Sequence, residues 1–260
     1  MQKKSCVLVT GAASGIGYAI AKTFSEQGWF VGLADIDEIG VSRAAKEIGE
    51  DRTLAFQLDV CDLAAWEQVL SLFWQKTGRL DLLVNNAGIL FSGAFEDIPI
   101  AQQHRIIDVN VKGVMNGCYS ALPWLRQTQH SQVINVSSAS AIYGQPSLST
   151  YSASKFAIRG LTEALNLEWE SFDIRVMDIM PLFVQTAMVK DMDAKIIQTM
   201  GVKLTPMDVA KVAWKATNAP CWIHRVHWTV GLDTRLFYSM VGLMPNWINR
   251  SATRWIAAKH

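Results

Sequence analysis

Between Cys6 and Ile179 short unbroken apolar runs alternate with longer stretches in which apolar residues recur every three or four positions. The short runs are Cys6–Thr10, Trp29–Ala34, Thr53–Leu58, Leu80–Val84, Gln132–Val136 and Ile174–Ile179. Their length and density predict strands buried on both faces. The periodic stretches predict helices over Gly15–Gly28, Val41–Gly49, Leu63–Thr77, Ile100–Arg126 and Thr150–Glu170, with Pro123 near the end of the fourth. A further run, Arg225–Leu232, stands where a last strand belongs. Strand–helix alternation of this kind gives a doubly wound, three-layer α/β sandwich around a parallel sheet of about seven strands. With 260 residues, no repeats and no low-complexity linkers, the whole chain reads as one domain.

Composition narrows the function. Half the residues are hydrophobic and 18% charged, which excludes a disordered chain. A net charge of +1 excludes general nucleic-acid binding, which needs a basic surface. No window reaches the ~18 apolar residues of a membrane span. Cys6, Cys61, Cys118 and Cys221 are scattered, and no Cys/His group has zinc spacing. Neither a disulfide framework nor a metal is expected. The apolar run after Lys3-Lys4 is too short for a secretory signal, so the expected location is cytoplasmic.

Thr10–Gly17 (TGAASGIG) joins the first strand to the first helix. Gly11, Gly15 and Gly17 permit a tight turn, and the helix behind it offers unpaired N–H groups to a pyrophosphate. Asp35 ends the second strand, where a carboxylate can accept both hydroxyls of an adenosine ribose. The alternative is that Asp35 merely caps the next helix or turn. It would repel a 2′-phosphate, and its neighbours Ala34, Ile36 and, in the turn, Ser14 supply no cation, so NAD is expected over NADP. Tyr151 and Lys155 lie one helical turn apart, and an ammonium so placed is expected to lower the phenol's pKa enough for general acid/base work. Ser138, at the end of the fifth strand, could hydrogen-bond a substrate oxygen.

These motifs, in this order, resemble the short-chain dehydrogenase/reductase family over about residues 5–190: TGxxxGxG at Thr10–Gly17, the acid at Asp35, Asp59-Val60, NNAG at Asn85–Gly88, Asn110, Ser138 and YxxxK at Tyr151–Lys155. The resemblance implies a Rossmann-like fold and interconversion of an alcohol and its carbonyl partner. It implies that Asp59 meets the adenine amino group, with Val60 beside the ring, and that Ser14 and Ile16 belong to the phosphate turn. Asn86, Ala87 and Gly88 would stabilise the sheet and line the cleft. Asn110 would hold a water linking Lys155 to solvent. Lys155 would also bind the nicotinamide ribose, and Tyr151 would move the alcohol proton. Pro181, Val184 and Thr186 would meet the nicotinamide carboxamide. The family's spacing favours Ser138 over Ser137 as the catalytic serine, and its usual interface implies a homodimer or homotetramer.

The chain also departs from that pattern. Leu182 replaces the glycine usually found after Pro181, and would be strained if the position needs positive φ. Met180–Met207 holds five methionines, readable as a mobile lid of about 182–207 over an apolar substrate or as an ordinary packed helix pair. The aromatic, basic extension of about 233–260 can pack on its own domain, enter an oligomer interface or lie on a membrane surface; the first two are favoured. Tyr143 reads equally as pocket wall or packing residue. His104, His130, His224, His227 and His260 show no pairing and read as surface or satisfied groups. The expected function is NAD-dependent oxidation of a secondary or lipophilic alcohol, or the reverse. The rival is a catalytically silent NAD-binding scaffold acting through the tail.

Overall fold

A computed structural model describes residues 4–187, 202–220, 222–241 and 247. The apolar runs form β1 (Cys6–Thr10), β2 (Phe30–Asp35), β3 (Thr53–Gln57), β4 (Leu82–Asn85), β5 (Gln132–Val136) and β6 (Arg175–Met180). A three-residue β7 (His227–Thr229) is all that remains of the expected last strand. The strands lie parallel in the order β3-β2-β1-β4-β5-β6-β7, so the order reverses between β1 and β4. In open sheets of this type ligands bind at the carboxyl ends of the strands beside that reversal.

Period-two alternation sorts each strand between two cores. Val7 and Val9 of β1 face helices α1 (Gly15–Glu26) and α2 (Glu38–Ile48), while Cys6 and Leu8 face α3 (Leu63–Thr77). Asp37 caps α2 by accepting from Gly40 N at 2.9 Å, which moves that helix's start three residues upstream of the expected one. Asp62 caps α3 in the same way.

The expected fourth helix is broken into α4 (Ile100–Ile107), a π-helical turn at Asp108–Lys112 and α5 (Gly113–Leu125). The wider turn re-phases the helix face. α5 then approaches β4 so closely that a Cβ on Gly117 would sit 2.3 Å from Asn85 Oδ1. α6 (Ser149–Glu168) follows β5. The next helix, α7 (Pro206–Thr217), starts at a reciprocal Thr205–Asp208 capping box with Pro206 in its first turn. Its Trp214 packs edge-on against Phe24 and Trp29. α8 (Leu232–Val241) follows β7. No helix among the described residues is long and apolar enough to cross a membrane. Met188, Met192, Met200, Cys221 and all of the tail beyond Val241 except Trp247 lie outside the described residues.

Candidate active site

Asn86 and Thr10 bolt the strand ends on the two sides of the reversal. Asn86 Nδ2 donates to Thr10 O and Gly11 O at 2.9 and 3.1 Å, and Thr10 Oγ1 accepts from Asn86 N and Ala87 N. Gly11 takes φ +64°, and a Cβ there would meet Ala87 Cα at 2.9 Å. A Cβ on Gly17 would lie 2.1 Å from Gly11 O. The turn can therefore close only with glycine at both positions, and closing it exposes the N-terminus of α1 to the cleft.

That cleft, about 780 Å³, is lined by Gly11, Ser14, Gly15 and Ile16 on the turn, and by Asp35, Asp59 and Val60 at the ends of the next two connections. Asn86, Ala87, Gly88, Ser138, Tyr151, Lys155, Pro181, Val184 and Thr186 complete the expected residues that reach it. Gly17 and Asn110 do not line it. Gly17 is buried beneath the turn. Asn110, in the π-helical turn, spends its side-chain amide on the chain: Oδ1 accepts from Ile89 N at 2.8 Å, and Nδ2 donates to Ile89 O and to Ser154 Oγ. It therefore fixes the loop after β4 rather than facing the cleft.

Asp37, not Asp35, caps α2, whereas Asp35 caps the turn that leads into it. Asp35 also grips the glycine turn, accepting from Ala13 N at 2.9 Å and from Asp37 N at 3.1 Å. Its carboxylate keeps further lone pairs for hydroxyl donors in the cleft. Asp59 accepts from Cys61 N, and Arg105 approaches it to 3.9 Å. Arg105 and Ile36 both line this end of the cleft, and sequence reasoning missed Arg105 because it belongs to α4, far along the chain.

At the other end Ser138, two residues past β5, accepts from Ser140 N at 3.1 Å and donates to Ser140 Oγ at 3.2 Å, and its hydroxyl lies beside Tyr151. Ser137 turns away from the reacting end and donates to Lys155 O at 3.4 Å. Lys155 is buried, and its Nζ donates to Val136 O at 2.9 Å and stands 5.5 Å from the centroid of the Tyr151 ring.

The expected lowering of the phenol is not what the protein chain alone produces. Burial pushes Tyr151 up to about 12, only partly opposed by the Ser138 hydrogen bond. Burial also pulls Lys155 down to about 8. Desolvation of the buried phenol dominates its shift. Alcohol oxidation needs the phenolate and ketone reduction the phenol, so their pH profiles should differ. Oxidation should rise between about pH 6 and 9, while reduction stays level. Parallel rate profiles check this, and a level oxidation profile would remove Tyr151 as the base.

Leu182 is not strained. The described non-glycine residues with positive φ are His130, Ser147 and Asp173. Leu182 instead packs on a small core of Ala139, Ala141, Ile142 and Met180, which Phe237, Tyr238 and Val241 of α8 also cover. It lines the cleft as well, with Phe183, Ile89, Leu90 and Met207, whereas Tyr143 does not. Two histidines are paired, contrary to expectation. His130 meets Asp173 at 2.8 Å. His227 lies between the buried Asp178, at 3.0 Å, and Glu163, at 2.9 Å. Burial opposes protonation of His227, but the Asp178 hydrogen bond and charge win and raise its pKa. The β6–β7 pairing that joins these residues cannot be read from local patterns.

A glycine turn before α1, the Asp35 carboxylate and a Ser–Tyr–Lys group line one cleft of a doubly wound sheet, the arrangement of a dinucleotide-dependent oxidoreductase. The chain belongs to the short-chain dehydrogenase family, whose model matches residues 5–197, and members of that family bind a nicotinamide cofactor. It is 33% identical to the 3-oxoacyl-(acyl-carrier-protein) reductase FabG of Thermotoga maritima, over 82% of this chain and 89% of that one. It is 38% identical to a 3-ketodihydrosphingosine reductase of Bacteroides thetaiotaomicron, over 67% and 62%. The 3-ketoacyl-(acyl-carrier-protein) reductase of Brucella melitensis, solved with NADH, superposes with a TM-score of 0.80 at 30% identity, covering 87% of this chain and 96% of that one.

Proposed function

We propose that this protein is a cytoplasmic, NAD-preferring dehydrogenase/reductase that interconverts a secondary or lipophilic alcohol and its ketone or aldehyde. The observation that carries the reading is the convergence of Ser138, Tyr151 and Lys155 with the glycine turn in one cleft. A bound nicotinamide supplies the hydride chemistry. Ser138 orients the substrate oxygen, Tyr151 takes or returns its proton, and Lys155 holds the ribose while stabilising the phenolate. The clamp of Asn110 on Ile89 keeps the neighbouring wall in place. Pro181, Val184 and Thr186, which line the cleft, would hold the carboxamide. The apolar lining by Ile89, Leu90, Leu182, Phe183 and Met207 supports a lipophilic substrate. So does the ketosphingoid substrate named for one relative.

Preference for NAD is supported by Asp35, whose charge opposes a 2′-phosphate. The double variant Asp35→Ser/Ile36→Arg should move the NADP/NAD ratio of kcat/KM by about a hundredfold toward NADP. An unchanged ratio would mean that the ribose is read elsewhere, with Arg105 the first residue to test. A homodimer or homotetramer is supported by exposed Met115 and Tyr119 on α5 and Phe156 on α6. The direct test is NADH formation on a panel of secondary alcohols, sterols, retinol and hydroxyacyl compounds, with NADP in parallel. Turnover of long apolar alcohols with NAD is expected. Tight NAD binding without turnover on any of them would favour the scaffold reading.

A further inference from the structure

α8 has two faces of different use. Inward, Phe237, Tyr238 and Val241 pack on the small core that includes Leu182. The ring of Tyr238 lies 5.8 Å from that of His227, and the Arg159 guanidinium stands over it at 5.4 Å. Outward, Leu232, Leu236 and Met240 form a stripe at i, i+4 and i+8, and Leu232 is 81% exposed. Trp222, in the connection before β7, is 73% exposed, and Trp247, just past α8, is 70% exposed. Large aromatic side chains this open to water are uncommon on a free surface.

Two arginines, Arg225 and Arg235, flank the stripe. Arg225, exposed and stacked at 4.7 Å on Trp228, feels the positive charge of Arg235 on α8, which together with burial lowers its pKa. No ion pair joins either arginine to a carboxylate among the described residues. From Ala219 to His260 the sequence carries five Lys/Arg against Asp233 alone, although the whole chain is nearly neutral at +1. Of these cations, Arg225 and Arg235 are described, and both belong to the region that leaves the apolar side chains exposed.

We propose that this C-terminal region docks on the surface of an anionic lipid bilayer, with Leu232, Leu236, Met240, Trp222 and Trp247 entering the interface and Arg225 and Arg235 meeting lipid phosphates. Tryptophan prefers the headgroup layer, and arginines at the edge of an apolar stripe add electrostatic attraction to anionic lipid. A second copy of the chain would also cover apolar groups, but two adjacent unpaired arginines are poorly matched by the same cationic surface. Because the inner face of α8 packs on the same small core as Leu182, docking would set the apolar end of the cleft close to the lipid. That consequence rests on the functional reading above, while the docking itself does not.

The test is flotation of the full-length protein with vesicles of pure phosphatidylcholine or of phosphatidylcholine with phosphatidylserine, at low and high salt. Binding to the anionic vesicles at low salt, weakened as salt is raised, is expected. Leu236→Asp/Met240→Asp should abolish flotation, and Arg235→Glu should lower the bound fraction about tenfold. All three residues are exposed, and unchanged circular dichroism and melting would show that the variants fold. Absence of the protein from floated vesicles would overturn the proposal, as would equal flotation of the variants. A stripe variant that lowers the mass seen by light scattering, with no vesicle binding by the parent, would assign the surface to self-association instead. None of these readouts uses turnover, so a failure here leaves the oxidoreductase reading standing.

Discussion

Replacing Tyr151 with phenylalanine should lower kcat for alcohol oxidation by about 10²–10⁴-fold while NAD affinity changes by less than about threefold. The ring, which packs beside Lys155, is retained. Only the phenol hydroxyl beside Ser138 is lost. In the proposed reading cofactor binding rests chiefly on the glycine turn, Asp35 and Lys155, none of which the substitution replaces. Steady-state rates combined with titration of NAD by protein fluorescence make the comparison. Retention of parental kcat would show that some other group moves the proton. A matched fall in NAD affinity would show instead that the phenol organises the cofactor site. Ser138→Ala is the informative partner: it removes the hydrogen bond that opposes the burial shift of Tyr151, so its oxidation profile should move to higher pH as well as fall.

How much of this was legible in the sequence follows from the range of each interaction. Thr10–Gly17 and Tyr151–Lys155 are local patterns, and a turn or one helical repeat is enough to place their members together. Asp35 was legible as a strand-end carboxylate, but that Asp37 rather than Asp35 caps α2, while Asp35 holds Ala13 N and the turn at Asp37, is a property of the assembled turn. The π-helical turn at Asp108–Lys112 escaped notice because five residues at a wider pitch barely disturb a 3.6-residue pattern. His227 and Asp178 are 49 positions apart and meet only because β6 and β7 pair in register. Leu182 looked like a defect in a turn. Its reason lies in α8, whose packing no local rule connects to the end of β6. The sign of the Tyr151 shift was missed for a related reason: proximity of Lys155 is written in the spacing, whereas burial of both groups is a property of the assembled cleft.

Gly17→Ala is the substitution expected to do most damage without touching any reacting group. Its new Cβ would lie 2.1 Å from Gly11 O and 2.6 Å from Asn86 Nδ2. The first is a backbone atom, so no rotamer change relieves it. The second belongs to the amide that ties Thr10 and Gly11 to β4, so moving it loosens the same turn. Overpacking of this kind costs about 1–3 kcal/mol, and an immovable neighbour points to the upper end. For a chain of this size that corresponds to a fall in Tm of about 5–10 °C. The effect on the cofactor should be larger still, because relief must come from displacing the turn or α1, and either takes the helix N-terminus away from the pyrophosphate. NAD affinity should fall by about a hundredfold or more. Thermal melts with and without NAD read both quantities in one experiment: the variant should melt lower and lose the upward shift that NAD gives the parent. A variant that melted like the parent and kept that shift would mean that the turn tolerates a methyl group, and that close approach of Gly17 to Gly11 is not what shapes the phosphate site.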